Sequence, residues 1–207
     1  MKLRLVPIAL ACAAVAAAAL VTGCAGKNAV DQSAGGQFRF VSASDPGQTW
    51  KPADRKKVGD VTGERLEGGS FNLSSDAGKV VVVNFWASWC APCQIETPQF
   101  DSVYRAYKDK GVDFVGIDFK DQRGKAQSFV KDNDISFPIV YDQQGKTALE
   151  LGHLPSQGLP FTVLIDKQQR VAAVYVGSLT PKDLEPVLDR LLADPAAAVG
   201  SSAGPGA

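Results

Sequence analysis

The chain has 207 residues, and setting aside the uncharged stretch from Leu5 to Gly23 and the Ala-, Gly-, Ser- and Pro-rich tail from Asp194 leaves about 140 residues, enough for one core and not two. Lys and Arg total 22 against 22 Asp and Glu, so the basic surplus of a nucleic-acid binder is absent. A 45% hydrophobic and 21% charged composition excludes both a disordered chain and a multi-span membrane protein.

The N-terminus has the layout of an export signal: a short basic start (Met1 to Arg4), an Ala- and Leu-rich run (Leu5 to Leu20), then small residues. Val21-Thr22-Gly23-Cys24 resembles the bacterial lipoprotein box, which implies cleavage before Cys24 and acylation of that residue. Several buried acyl chains hold firmly where one gives only marginal binding. An uncleaved span is the competing reading. Both place the domain on the extracytoplasmic face of the cell membrane. The expected division is a signal peptide over 1–23, a flexible tether over 24–57, a folded domain over 58–193 and a disordered tail over 194–207.

Within the domain, Val61 to Leu66 and Phe71 to Leu73 flank Glu67-Gly68-Gly69-Ser70, a hairpin pattern. Val80 to Phe85 is β-branched and too apolar for an exposed strand, which predicts a central, doubly buried one. From Ala91 to Lys110, Ile95, Phe100, Val103, Tyr104 and Tyr107 recur at helical spacing; Pro98 should kink that helix and Gly111 end it. A strand over Val112 to Asp118, a helix over Gly124 to Asn133, a strand over Phe137 to Tyr141 and a brief helix over Lys146 to Leu151 follow. Strands at Phe161 to Asp166 and Val171 to Val176 and a helix over Pro181 to Leu192 complete an α/β fold: a central mixed sheet with helices on both faces.

Cys12 is lost with the leader and Cys24 is expected to be acylated, which leaves Cys90 and Cys93 as the free sulfurs. Their Cys-x-x-Cys follows the buried strand and opens the long helix, where unpaired N–H groups stabilise a thiolate on Cys90. Cys93, one turn on, is placed to resolve a mixed disulfide. Gln94 stands where a c-type haem site needs His, and structural zinc wants four ligands where the mature chain offers two Cys and His153. Neither metal nor cofactor is expected. An inert disulfide would close almost no loop and stabilise little. Gly145-Lys146-Thr147 lacks the first Gly of a phosphate loop and reads as a turn. His153 reads as a solvent-facing loop residue.

Phe85-Trp86-Ala87-Ser88-Trp89-Cys90-Ala91-Pro92-Cys93, continued by Gln94-Ile95-Glu96-Thr97-Pro98, resembles the active-site segment of the TlpA/ResA branch of the thioredoxin superfamily. The likeness runs from Val58 to Leu192 and includes an N-terminal hairpin and an insert over roughly Asp121 to Gly145. It implies a thioredoxin-like fold and a thiol:disulfide oxidoreductase that reduces exported disulfides, those of apocytochrome c foremost, drawing electrons from a membrane-embedded thiol reductant. Asn84 replaces the buried Asp of thioredoxin itself, whereas Glu96 occupies the branch's acidic position after the second Cys. That implies a partly buried Glu96 relaying the proton of Cys93. Pro160 matches the superfamily's cis proline, with Leu159 presenting its backbone to a client and Trp89 and Pro92 completing the contact surface. Trp86 is expected at the rim beside Trp89, with Phe85 in the core. Two intervening residues do not fix redox direction, so a general thiol oxidase, a thiol peroxidase and a non-catalytic scaffold lipoprotein stay open.

Overall fold

A computed structural model describes residues 47–152 and 158–194. The leader, Cys24, most of the expected tether, His153 and the tail beyond 194 lie outside the described residues.

The fold is built on β4 (Val80–Trp86), whose seven residues are all buried. Four successive valines suit a strand that meets apolar surface on both faces. Three short strands precede it: β1 (Gln48–Thr49), β2 (Thr62–Glu64) and β3 (Ser70–Asn72). After it come helix α1 (Ala91–Tyr107), β5 (Val112–Phe119), helix α2 (Arg123–Asp132), β6 (Ile139–Asp142) and the one-turn α3 (Thr147–Glu150). The chain closes with β7 (Phe161–Ile165), β8 (Val171–Val176) and helix α4 (Pro181–Ala193). The six-stranded sheet has the order β1-β8-β7-β4-β5-β6, while β2 and β3 form a separate hairpin. Strand β4 runs parallel to β5 and antiparallel to β7, so the sheet is mixed.

Alternation along β4 divides the interior in two. Val80, Val82 and Trp86 pack with residues of α1, α2 and α4, including Phe100, Val103, Ala126 and Leu188. Val81, Val83 and Phe85 face the other way, toward Phe71 of the hairpin, Leu73 and Leu151. The long helices therefore gather on one face of the sheet, and the hairpin with short α3 covers the other.

Three details differ from the sequence reading. Trp86 is fully buried, with its ring 5.0 Å from that of Phe129: β4 is one residue longer than expected, and α2 roofs the position that looked like a rim. Ile95 is 55% exposed. The stripe that α1 buries is Cys93, Glu96, Phe100, Val103 and Tyr107, and Ile95 lies about 100° around the axis from Glu96. Residues Gln48 to Asp54, assigned by composition to the tether, fold onto the domain. Strand β1 pairs with β8, and Trp50 N–H donates to Ala172 at 2.9 Å.

Arg55 secures that segment. Its guanidinium is 5% exposed and lies 3.2 Å from Asp166 and 2.5 Å from Asp194. Arg170 also pairs with Asp166, at 2.7 Å, so removing Arg55 does not strand the Asp166 carboxylate. Arg55→Ala is accordingly expected to cost about 1.5–3 kcal/mol, the range for a charge-assisted bond rather than for an orphaned buried ion. A fall in the urea midpoint at constant m-value checks this.

Candidate active site

The end of β4 delivers the chain into a short loop, and Cys90 caps the helix that follows. Its backbone is extended (φ −86°, ψ 104°) and its Sγ accepts the N–H of Cys93 at 3.3 Å. A sulfur thus takes the place of the usual N-cap oxygen, at the positive end of the helix dipole. Pro92 sits in the first turn, where a missing N–H removes no helical bond. Cys90 and Cys93 are joined in a disulfide with Cα atoms 5.2 Å apart. Cys93 is fully buried, Cys90 is 5% exposed, and Trp89 beside it is 60% exposed. The first sulfur is therefore the one that borders the surface.

Glu96 lies one turn beyond Cys93 on the same buried stripe and is itself 1% exposed. Three elements meet on its carboxyl. From β4, the Asn84 side-chain amide donates to Glu96 Oε2 and to Thr162 Oγ1, each at 3.1 Å. From the β8–α4 connection, Leu179 N–H donates to Oε1 at 2.7 Å. Thr162 reaches the group because it is the cross-strand partner of Asn84 in the β4–β7 pair. Burial pushes the Glu96 carboxyl up to about 8, outweighing the Leu179 and Asn84 bonds that favour its ionised form. No cation pairs with it among the described residues. Removing the Asn84 donor should lift the value further: Asn84→Ala is expected to move the Glu96 midpoint above about 8 and to destabilise the fold by about 1–3 kcal/mol. The Glu96 carboxyl resonance followed against pH reads the first effect, and denaturation the second.

The Leu159–Pro160 peptide is cis. Phe161 directly after it is the cross-strand partner of Phe85, with their rings stacked at 3.9 Å. Because β7 runs antiparallel to β4, Pro160 opens its strand at the end of the sheet where β4 leaves for the cysteine pair. Pro92 and Pro160 are buried and Leu159 is half-buried, so Trp89 and Leu159 hold the accessible surface of the four residues expected to meet a client. Thr162 and the Leu179 N–H were not anticipated. Their part comes from strand register and a loop, neither of which leaves a local motif. Among the described residues no cluster of His, Cys, Asp and Glu could hold a metal ion.

A Cys-x-x-Cys disulfide at the mouth of a helix, on a mixed sheet of this order with a cis proline opening the neighbouring strand, defines a thioredoxin-like thiol–disulfide oxidoreductase. A profile of the Redoxin family matches residues 53–192, and the chain belongs to that family. It is 36% identical over 126 residues, 61% of this chain and 71% of the relative, to the thiol-disulfide oxidoreductase ResA of Bacillus thuringiensis subsp. konkukian. Among solved structures, a DsbF homologue from Corynebacterium diphtheriae is 38% identical with a TM-score of 0.68, covering 75% of this chain and 100% of its own. A secreted thiol-disulfide isomerase from Corynebacterium glutamicum is 35% identical with a TM-score of 0.68, covering 76% and 99%. The activity is thiol–disulfide exchange at Cys90 and Cys93.

Proposed function

We propose that the protein works on the extracytoplasmic face of the cell membrane, held there by acylated Cys24, and reduces disulfides of exported proteins, with the cysteines of apocytochrome c as the client class. A membrane-embedded thiol reductant returns it to the dithiol. The ResA likeness and the export-type leader support this reading, and the observation that carries it is the buried, unpaired-by-cation Glu96 one turn from Cys93.

In the proposed cycle the Cys90 thiolate attacks a client disulfide. A Cys90–client bond forms, the client's own S–S bond breaks, and one client sulfur leaves as thiolate. Cys93 then attacks Cys90, giving up its proton to the Glu96 carboxylate; the Cys90–client bond breaks and the second client sulfur leaves as thiolate, to be protonated by water. The oxidised protein is left with Glu96 protonated, in keeping with a carboxyl that titrates at about 8. When the reductant attacks Cys90, the same proton returns to Cys93 as it leaves. Trp89 and Leu159 supply apolar surface beside the reacting sulfur.

The test is a Cys93→Ala trap, in which the attacking sulfur is retained and mixed disulfides accumulate. Partners bearing Cys-x-x-Cys-His sequences support the proposal. A broad set of secreted proteins would instead favour oxidative folding, the reading suggested by likeness to the DsbF homologue and the secreted isomerase. Labelled palmitate incorporated by the wild type and lost in Cys24→Ala tests the anchor.

A further inference from the structure

A second buried acidic group stands behind the active-site loop, on elements that the proposed cycle does not use. Asp118, the penultimate residue of β5, is the cross-strand partner of Trp86. It is fully buried, and no donor reaches either of its carboxyl oxygens. What it meets is the carboxyl of Asp121. Asp121 in turn is 5% exposed and already engaged on both oxygens: Ser88 N–H donates to Oδ2 at 2.5 Å and Gln122 N–H to Oδ1 at 2.6 Å.

Ser88 belongs to the loop that carries the dithiol, and the same stretch of chain holds that loop at further points. Trp89 Nε1–H donates to the Lys120 carbonyl at 3.4 Å. The Lys120 backbone is itself left-handed, with φ 54°, an unfavourable conformation for a side-chain-bearing residue that its surroundings must enforce. The Tyr141 hydroxyl donates to the Asp121 carbonyl at 3.1 Å, and Lys120 N–H to the Asp142 carbonyl at 3.0 Å. The segment from Lys120 to Asp121 is thus pinned to β6 on one side and to Ser88 and Trp89 on the other.

We propose that Asp118, buried and protonated, donates to Asp121 and with it forms a positioning pair that fixes the Ser88–Trp89 segment and so the presentation of Cys90. Burial first, and then the neighbouring Asp121 carboxyl, disfavour the ionised form of Asp118. Asp121 accepts one backbone N–H on each oxygen, which favours its charged form and leaves a lone pair on each, so the proton sits on Asp118 and is donated to one of those. That donation leaves Asp121 aimed at Ser88. Losing the proton sets two negative carboxyls against each other and loosens the Ser88 bond.

The other charges acting on Asp118 are Arg123 at the start of α2 and Asp142 on β6. Arg123 is already paired with Glu64 at 2.8 Å and stacked on the Tyr141 ring at 4.2 Å. The Asp142 carboxylate accepts from the N–H groups of Gly145, Lys146 and Thr147. Arg123 is thus not free to replace the proton on Asp118, and Asp142 adds only a further negative charge. Burial and the Asp121 carboxyl together hold Asp118 up at about 8, which is consistent with a proton retained at neutral pH.

The inference rests on thiol–disulfide exchange at Cys90 but not on the client class, and its primary readout needs no turnover. In the isotopically labelled, oxidised full chain, where neither Cys90 nor Cys93 titrates, the Ser88 amide and Trp89 indole resonances are followed between about pH 6 and 10. Both are expected to shift in one transition in the wild type and in Glu96→Gln, and to stay flat in Asp118→Asn, whose amide N–H donates to Asp121 at every pH. With a disulfide-containing model peptide as substrate, Asp121→Ala is expected to raise KM several-fold, and Asp118→Asn to keep the wild-type KM at neutral pH. A transition that persists in Asp118→Asn, or that vanishes in Glu96→Gln, overturns the proposal. So does an Asp121→Ala protein with unchanged Ser88 and Trp89 resonances and unchanged KM. If Asp121→Ala does not fold, the isosteric Asp118→Asn titration decides alone.

Discussion

Replacing Cys90 by serine is expected to lower exchange with protein disulfides by about a thousandfold or more, because a hydroxyl at that position is neither ionised near neutral pH nor able to form the mixed disulfide. Cys93→Ala should behave differently. It keeps the first attack and fails to release the client, so a covalent intermediate accumulates instead of activity simply disappearing. The asymmetry follows from placement: Cys90 is at the surface edge of the helix N-terminus, and Cys93 is fully buried behind it. After mild reduction, iodoacetamide should tag Cys90 well before Cys93. It should do so at a pH below the value of about 8.5 for a free thiol, since the helix end favours the thiolate. Single-turnover kinetics and mass spectrometry of the trapped species check both halves, and equal alkylation of the two sulfurs would contradict the assignment.

Glu96→Gln carries the second large effect. If Glu96 relays the Cys93 proton as proposed, the neutral amide should slow both resolution and re-reduction by about a hundredfold, within the usual range for loss of a general acid–base group. In the wild type, re-reduction needs the protonated carboxyl, so its rate should fall as pH rises through about 8 and flatten in the variant. Stability should respond to the same group. Glu96 has an ordinary value of 4.5 and titrates at about 8 when folded, so between those pH values the folded state holds more protons than the unfolded one. Its contribution is fully present below about 4.5 and is lost as pH climbs through about 8. Asp118, raised from 3.8 to about 8, adds a slope of the same sign. Glu96→Gln should therefore reduce the alkaline loss of stability without abolishing it, as read by urea denaturation across that range.

How much of this was visible beforehand depended on whether the cause was local. The valine run of β4, the hairpin over Glu67 to Ser70 and the end of α1 near Gly111, where φ is 91°, were all announced by nearby residues. So was the dithiol, since two cysteines three apart at a strand-to-helix junction keep that geometry wherever the fold places them. Ile95 shows the opposite case. Apolar spacing counts it among the periodic residues of the helix, but the buried stripe of α1 admits the polar Glu96 and Thr97, whose partners come from β4, the β8–α4 connection and the helix itself. Trp86 was misplaced for a similar reason, because whether the last residue of a strand is covered depends on a helix some forty positions away. The β1 segment lacked any strand pattern and is held by an edge of β8 together with the buried Arg55 contacts.

The sequence by itself determined the sulfur chemistry, the helix whose N-terminus tunes it and the alternation that builds the sheet around it, because these depend on residues within a turn or a strand of one another. Only the tertiary structure decided that the Glu96 carboxyl is dry, that Asn84 and Leu179 hold it, and that Asp118 faces Asp121 beneath the loop. Proton affinity is set by burial and by donors brought from distant strands, and a linear chain does not specify either until it has folded.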